Sequence, residues 1–183
     1  MKLNYQWPLP SQPRPIAIIG SGGIVKDAHL PAYQKAEFKV LGVYDINPEQ
    51  SAKIANSWNL KAFGSLDSLI SSAQSQNAVF DLALPPSAIS NVLEQLPEHA
   101  TVLIQKPMGS DLEEAKLIKA ICERKKLTAA VNFQLRFSPM MLALKDAMSK
   151  GHLERILDLE VHLNLEASWE LFPFLKRMER VEI

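Results

Sequence analysis

The chain has 183 residues, 47% of them hydrophobic, and its 20 basic residues balance 20 acidic ones. That length holds one full-sized domain and part of another, and the composition supports a large core. The even charge without any basic block argues against a nucleic-acid partner, and no apolar run approaches the roughly 20 residues of a membrane span. Cys122 is the only cysteine, so no internal disulfide forms, which suits a reducing compartment. No charged segment followed by an apolar stretch opens the chain, and the expected location is cytoplasmic.

Residues 1–14 form a proline-rich arm, with Pro8, Pro10 and Pro13 ahead of Pro15. This spacing forbids helix and favours extended backbone. Tyr5 and Trp7 either pin the arm to the domain or belong to a loose lead-in. The apolar run Ile16-Ala17-Ile18-Ile19 then meets Gly20-Ser21-Gly22-Gly23-Ile24, and a helical pattern follows. This reads as strand, tight turn and helix start. Gly20 permits the turn, and Gly22 allows a ligand close to the backbone. The free N–H groups of the helix start suit a phosphate. The glycine pattern is imperfect, because Val25 stands where glycine or alanine is usual.

Lys39 to Asp45 reads as a buried strand ending in an acid. An acid there accepts the hydroxyls of an adenosine ribose and repels a 2′-phosphate. Asp45 is alternatively a cap for the next helix, and both roles are compatible. Helix is expected over 48–58, a short strand over Lys61–Phe63, and a short helix from Ser65. Val79 to Leu84 is the next strand, stopped by Pro85-Pro86, with a helix from about Ala88 to Leu96. Val102–Ile104 is a strand ending in Gln105-Lys106-Pro107. Residues 111–125 are helical, capped by Ser110 or Asp111, with Cys122 on a buried face beside Ile118 and Ile121. Ala129–Phe133 is a further strand. Apolar strands alternating with helices predict a parallel sheet covered on both faces, an α/β domain over 15–136.

The pattern changes near residue 137. A helix is expected over 138–150. Leu157 to Leu165 then alternates apolar and polar residues strictly, as a strand with one wet face does. Residues 137–183 thus read as the start of an α+β domain with an antiparallel sheet. A lone strand cannot form a sheet, so its partners are expected from missing residues or another chain. The reading is of a truncated piece, with homo-oligomerisation through 157–165 as one way to cover that strand.

Gly20-Ser21-Gly22-Gly23-Ile24 with His29-Leu30-Pro31, Gly42-Val43-Tyr44-Asp45, Ala83-Leu84-Pro85-Pro86, Gln105-Lys106-Pro107 and Asn132 to Pro139 together resemble the Gfo/Idh/MocA oxidoreductase family. The resemblance implies a Rossmann domain followed by a domain on a large open sheet. It implies hydride transfer between a nicotinamide cofactor and a hydroxyl-bearing carbon of a sugar, cyclitol or similar molecule. Carried over by position, Gly20, Ser21, Gly22, Gly23 and Ile24 line the pyrophosphate and Asp45 holds the adenine ribose, which favours NAD over NADP. Leu84, Pro85 and Pro86 pass alongside the cofactor, and Gln105 stands beside it. Lys106 matches the catalytic lysine, where a cation stabilises charge developing on oxygen; partial burial is expected to tune it. Arg136 either meets substrate or ties the domains by a salt bridge. No metal is implied.

Two departures accompany the resemblance. Gln105 replaces the glutamate of the family's Glu-Lys-Pro. The only Asp-x-x-x-His spacing, Asp158 to His162, lies in the alternating strand-like run and not on a helix as in the family, and Trp169 to Ile183 resembles only the approach to that helix. The polypeptide by itself is therefore expected to be catalytically crippled. An enzyme fragment is the first reading. A non-catalytic dinucleotide-binding regulator or sensor of the same family is the alternative, and a damaged chain with no role of its own is the third.

Overall fold

The computed structural model describes residues 2–153 and 155–162. The chain divides into a unit of residues 1–146 and another of residues 147–183. In the first unit, β1 (Ile16–Ile19), β2 (Val40–Tyr44), β3 (Val79–Leu82), β4 (Thr101–Ile104) and β5 (Thr128–Val131) form one sheet. Every pairing is parallel, in the order β2-β1-β3-β4-β5. A π-helical turn at Val25–His29 leads into α1 (Leu30–Lys35). The other helices are α2 (Pro48–Trp58), α3 (Leu66–Ser75), α4 (Pro86–Gln95), α5 (Leu112–Arg124) and α6 (Pro139–Ser149).

The expected strand at Lys61–Phe63 is reduced to one parallel bridge, Ala62 opposite Val43. Val43 N donates to the Lys61 carbonyl and Phe63 N to the Val43 carbonyl, both at 2.9 Å. Gly42 explains the close approach: at φ +150° it has no Cβ, and one would overlap the Lys61 carbonyl. Counting this edge segment, the sheet has the doubly wound order in which the chain starts at the centre, runs outward, and returns to the other side.

Alternation along the strands divides the core. Ile16 and Ile18 pack with Val25, Leu30, Val43, Ile54 and Ala55, from the first turn, α1 and α2. Ala17 and Ile19 pack on the opposite face with Phe80, Leu82, Val102 and Ile104 from the sheet. Leu69, Ile89, Leu93 and Ile118 from α3, α4 and α5 complete that face. Cys122 is half-buried against the same cluster. Helix starts are capped by the residue types that the N-terminal N–H groups require. Asn47, rather than Asp45, caps α2 by accepting from Glu49 N and Gln50 N. Ser65 and Ser68 form a reciprocal capping box on α3. Asp111 caps α5, while Glu114 reaches back to Ser110 N.

Two expectations are corrected. The sheet is not covered on both faces throughout, because Thr128, Ala129 and Ala130 of the edge strand β5 are exposed. On the face of α1 and α2 the cluster, which includes Val25 of the π-helical turn, reaches no further than β1, β2 and the loop after β3. Residues 155–162 carry no strand, so within the described residues the expected 157–165 strand is not formed. Leu157, Leu159 and Val161 are 81%, 66% and 68% exposed. Alternation makes a strand only where a neighbouring edge takes its hydrogen bonds and a core takes its apolar face. Residues 163–165 and the segment from Trp169 to Ile183 lie outside the described residues.

The arm is pinned at both ends. Arg14 donates to the Asn77 and Ala78 carbonyls, the Asn77 side chain and Thr101 Oγ1. Trp7 meets Phe137 edge-on at 5.3 Å and lies under Lys145 Nζ. Asn4 N donates to Asp146 Oδ2.

Candidate functional site

The strands end in step. Ile19 is level with Tyr44 and with Leu82, Leu82 with Ile104, and Ile104 with Val131. The residues that follow therefore emerge along one edge: Gly20 to Ile24 after β1, Asp45 after β2, Ala83 to Pro86 after β3, Gln105 and Lys106 after β4, and Asn132 to Arg136 after β5. That edge, where the strand order reverses, is the general ligand-binding crevice of open α/β sheets.

The glycine turn is built for close packing on one side and clearance on the other. Gly20 has φ +94°, and a Cβ there would overlap the Ala83 carbonyl and press on Leu84. Its N–H donates to the Tyr44 carbonyl at 2.8 Å. Gly22 is different, since a Cβ there would meet nothing within 4 Å. The interior does not require a glycine at this position, so the clearance serves whatever approaches from outside. No side chain caps the helix start at Ile24; the Gly22 carbonyl takes the Val25 and Lys26 N–H groups, so the donors this turn can offer an anion are those of Gly22, Gly23 and Ile24.

Val25 fits because the helix is widened there. It is fully buried, and the chain from Val25 to His29 takes π-helical spacing. Such local widening of a helix recurs at functional sites. Below the turn, His29 Nδ1 lies 2.7 Å from Asp81 Oδ2, and the Tyr33 hydroxyl donates to the same oxygen at 2.8 Å. His29 and Asp81 are buried, and His29 Nε2 and Asp81 Oδ1 have no partner. Burial, the Asp81 charge and this hydrogen bond push the Tyr33 phenol far above its ordinary range. Sequence reading passed over this cluster. Its signals were an acid inside the apolar run Val79-Phe80-Asp81-Leu82 and two polar rings four residues apart on one helix face.

Ser21 and Asp45 are joined. Ser21 N and Ser21 Oγ both donate to Asp45 Oδ2, at 2.7 and 2.8 Å. Asn47 N donates to Asp45 Oδ1 at 2.9 Å, and Gln50 Nε2 donates to the Ser21 carbonyl at 3.0 Å. Ser21 is fully buried, so its side chain faces Asp45 and not the crevice. Gln50 was not singled out from sequence, since nothing local distinguishes it from other polar residues of a first helical turn.

Leu84 and Pro86 are half-buried and Pro85 is exposed. Gln105 is buried, and its Oε1 accepts from Asn132 Nδ2 at 3.0 Å, tying the end of β4 to the end of β5. Lys106 is exposed, against the expected partial burial, because it stands in the turn beyond the strand end. Arg136 is exposed on a 3-10 turn at Gln134–Phe137, five residues past the end of β5. Neither cation makes an ion pair with a described residue. Among the described residues no group of three or more His, Cys, Asp or Glu side chains is placed to hold a metal ion. No helix there is long and apolar enough to cross a membrane.

Comparison with known proteins agrees with this geometry. The model of the Gfo/Idh/MocA family, an oxidoreductase family with an NAD-binding Rossmann fold, matches residues 14–133. The chain is 31% identical over 150 residues to glucose-6-phosphate 3-dehydrogenase of Bacillus subtilis, covering 80% of this chain and 41% of that protein. UDP-N-acetylglucosamine 3-dehydrogenase of Acidithiobacillus ferrooxidans matches with TM-score 0.61 and 26% identity, over 73% of this chain and 42% of that one. The WlbA dehydrogenase of Bordetella pertussis, solved with NADH and UDP-GlcNAcA, matches in fold with TM-score 0.61 and 21% identity, over 79% and 44%. The chain thus spans about two fifths of the length of these relatives. A doubly wound sheet, a glycine turn at its switch point and a family match over well over half of the residues lead to one conclusion: the chain belongs to the Gfo/Idh/MocA family of NAD-binding oxidoreductases.

Proposed function

We propose that this chain is the dinucleotide-binding half of an oxidoreductase that moves a hydride between NAD and a hydroxyl-bearing carbon of a sugar-like substrate. The observation that carries the reading is the open space over Gly22, at a turn whose neighbour Gly20 is demanded by packing. A site that needs one glycine for itself and keeps a second clear fits a pyrophosphate against the backbone.

In this reading Gly22, Gly23 and Ile24 cradle the pyrophosphate with main-chain N–H groups, and Gly20 makes the turn that presents them. Asp45 receives the adenine ribose. Leu84, Pro85 and Pro86 give the cofactor an apolar flank. Bound nicotinamide supplies the two-electron hydride chemistry. Lys106 donates a hydrogen bond to the reacting oxygen and stabilises the charge that develops there. Among the described residues its ammonium has no ion-pair partner, which suits that work. Gln105, held by Asn132, fixes the backbone from which Lys106 projects. Arg136 meets the substrate. The first two named relatives are both 3-dehydrogenases of glucose-type sugars carrying a phosphate or UDP group, so a phosphorylated or nucleotide-linked hexose is the substrate class we favour.

Dinucleotide binding is the direct test of this reading. Calorimetric titration of the chain with NADH is expected to give one site, and Asp45→Ala is expected to weaken it about tenfold or more. No heat of binding with either NADH or NADPH would overturn the reading.

A further inference from the structure

We propose that Ser21 is a positioning residue for dinucleotide selectivity, acting through Asp45, with Gln50 holding it in place. This rests on the reading of Asp45 as the ribose-binding acid.

An ionised carboxylate offers about four acceptor sites, two on each oxygen. Three are used inside the protein. Oδ2 takes both Ser21 donors, and Oδ1 takes Asn47 N. The carboxylate is therefore fixed in rotation, with one open acceptor site, on Oδ1. The Ser21 hydroxyl has no other task, being fully buried with Asp45 as its partner. Gln50 Nε2 grips the Ser21 carbonyl, so the turn, the end of β2 and the first turn of α2 form one rigid unit.

The surroundings make this fixed carboxylate hostile to a 2′-phosphate. The start of α2 would ordinarily attract one. Here Pro48 has no N–H, and the Glu49 and Gln50 N–H groups are occupied by the Asn47 side chain. Residues 45–50 add a second carboxylate, Glu49, and no basic side chain. A 2′-hydroxyl can donate to the open site on Oδ1, whereas a 2′-phosphate meets the negative charge of Asp45 and Glu49. Selectivity of this kind depends on the carboxylate staying where it is. If Asp45 could swing away, the repulsion would fall.

The test is the ratio of the NADPH to the NADH dissociation constant, measured by nicotinamide fluorescence on the full chain and its variants. Ser21→Ala is expected to reduce that ratio about tenfold, the worth of one hydrogen bond to a charged group. Gln50→Ala, on the surface of α2, is expected to lower the ratio in the same direction and guards against misfolding of the buried variant. In an Asp45→Ala background, Ser21→Ala is expected to leave the ratio unchanged. A purely structural role would raise both dissociation constants alike in both backgrounds, and that outcome, or an unaltered ratio in both single variants, overturns the inference alone. Absence of binding to either dinucleotide by the unsubstituted chain overturns the ribose reading and this inference with it.

Discussion

At the scale of single residues, the least expected feature is the buried trio of His29, Tyr33 and Asp81. A strand between two helical layers ordinarily carries only apolar residues, because a buried charge costs far more than it gains unless it is hydrogen-bonded. Asp81 meets that condition through two donors on one oxygen. The sequence displays all three residues, but which face of β3 meets which helix depends on the sheet order, and local pattern does not contain that. The arrangement has a measurable consequence at high pH. The Tyr33 phenol ionises, when unfolded, near 10.0, and in the fold it is raised well beyond that. The folded form therefore gains stability from Tyr33 fully below that pH, and loses it progressively as pH rises above it. Absorbance titration is expected to show Tyr33 ionising only with unfolding. Tyr33→Phe is expected to abolish this late step, and to cost about 1–2 kcal/mol at neutral pH because Asp81 loses a donor. A Tyr33 phenol that ionises near 10.0 in the folded chain would contradict this account.

At the scale of elements, strands and helices were largely legible because their burial follows simple periods. Each strand of the sheet lies within a residue or two of its predicted run, and the cap residues at Ser65 and Asp111 are those that pattern favours. What was not legible depends on neighbours. Lys61–Phe63 is too short to pair beyond one bridge. Leu157 to Val161 has the alternation of a strand but, among the described residues, pairs with no other segment. Ser21 looked like a ligand residue because it sits between two glycines, yet tertiary contact with Asp45 turns it inward. The turn itself makes a sharp prediction. Gly20→Ala places a Cβ at positive φ against the Ala83 carbonyl, and that carbonyl accepts no relief from a flexible side chain. Strain and overlap together are expected to cost about 3 kcal/mol or more, read as a fall in the urea midpoint. A variant as stable as the parent would show that the turn relaxes where the geometry says it cannot.

At the scale of the whole molecule, a parallel sheet gathers at one edge residues that are far apart in sequence. Gly22, Asp45, Pro85, Lys106 and Arg136 span more than a hundred positions, and the common register of the strand ends is what lines up their starting points. Their roles were readable only as a set, since each alone has an ordinary structural explanation. The same gathering couples ligand to stability, because a ligand that touches several strand ends binds the folded chain and not the unfolded one. NADH at 100 times its dissociation constant is expected to stabilise the chain by about 2.7 kcal/mol, a rise of several degrees in the melting temperature. Gly22→Val separates this effect from folding. Nothing in the interior meets a Cβ at Gly22, so the variant is expected to melt close to the parent without ligand. Its side chain fills the clearance over the turn, so added NADH is expected to raise its melting temperature little or not at all. If Gly22→Val responded to NADH as the parent does, the dinucleotide would have to lie elsewhere on the sheet, and the clearance over the turn would have no ligand to explain it.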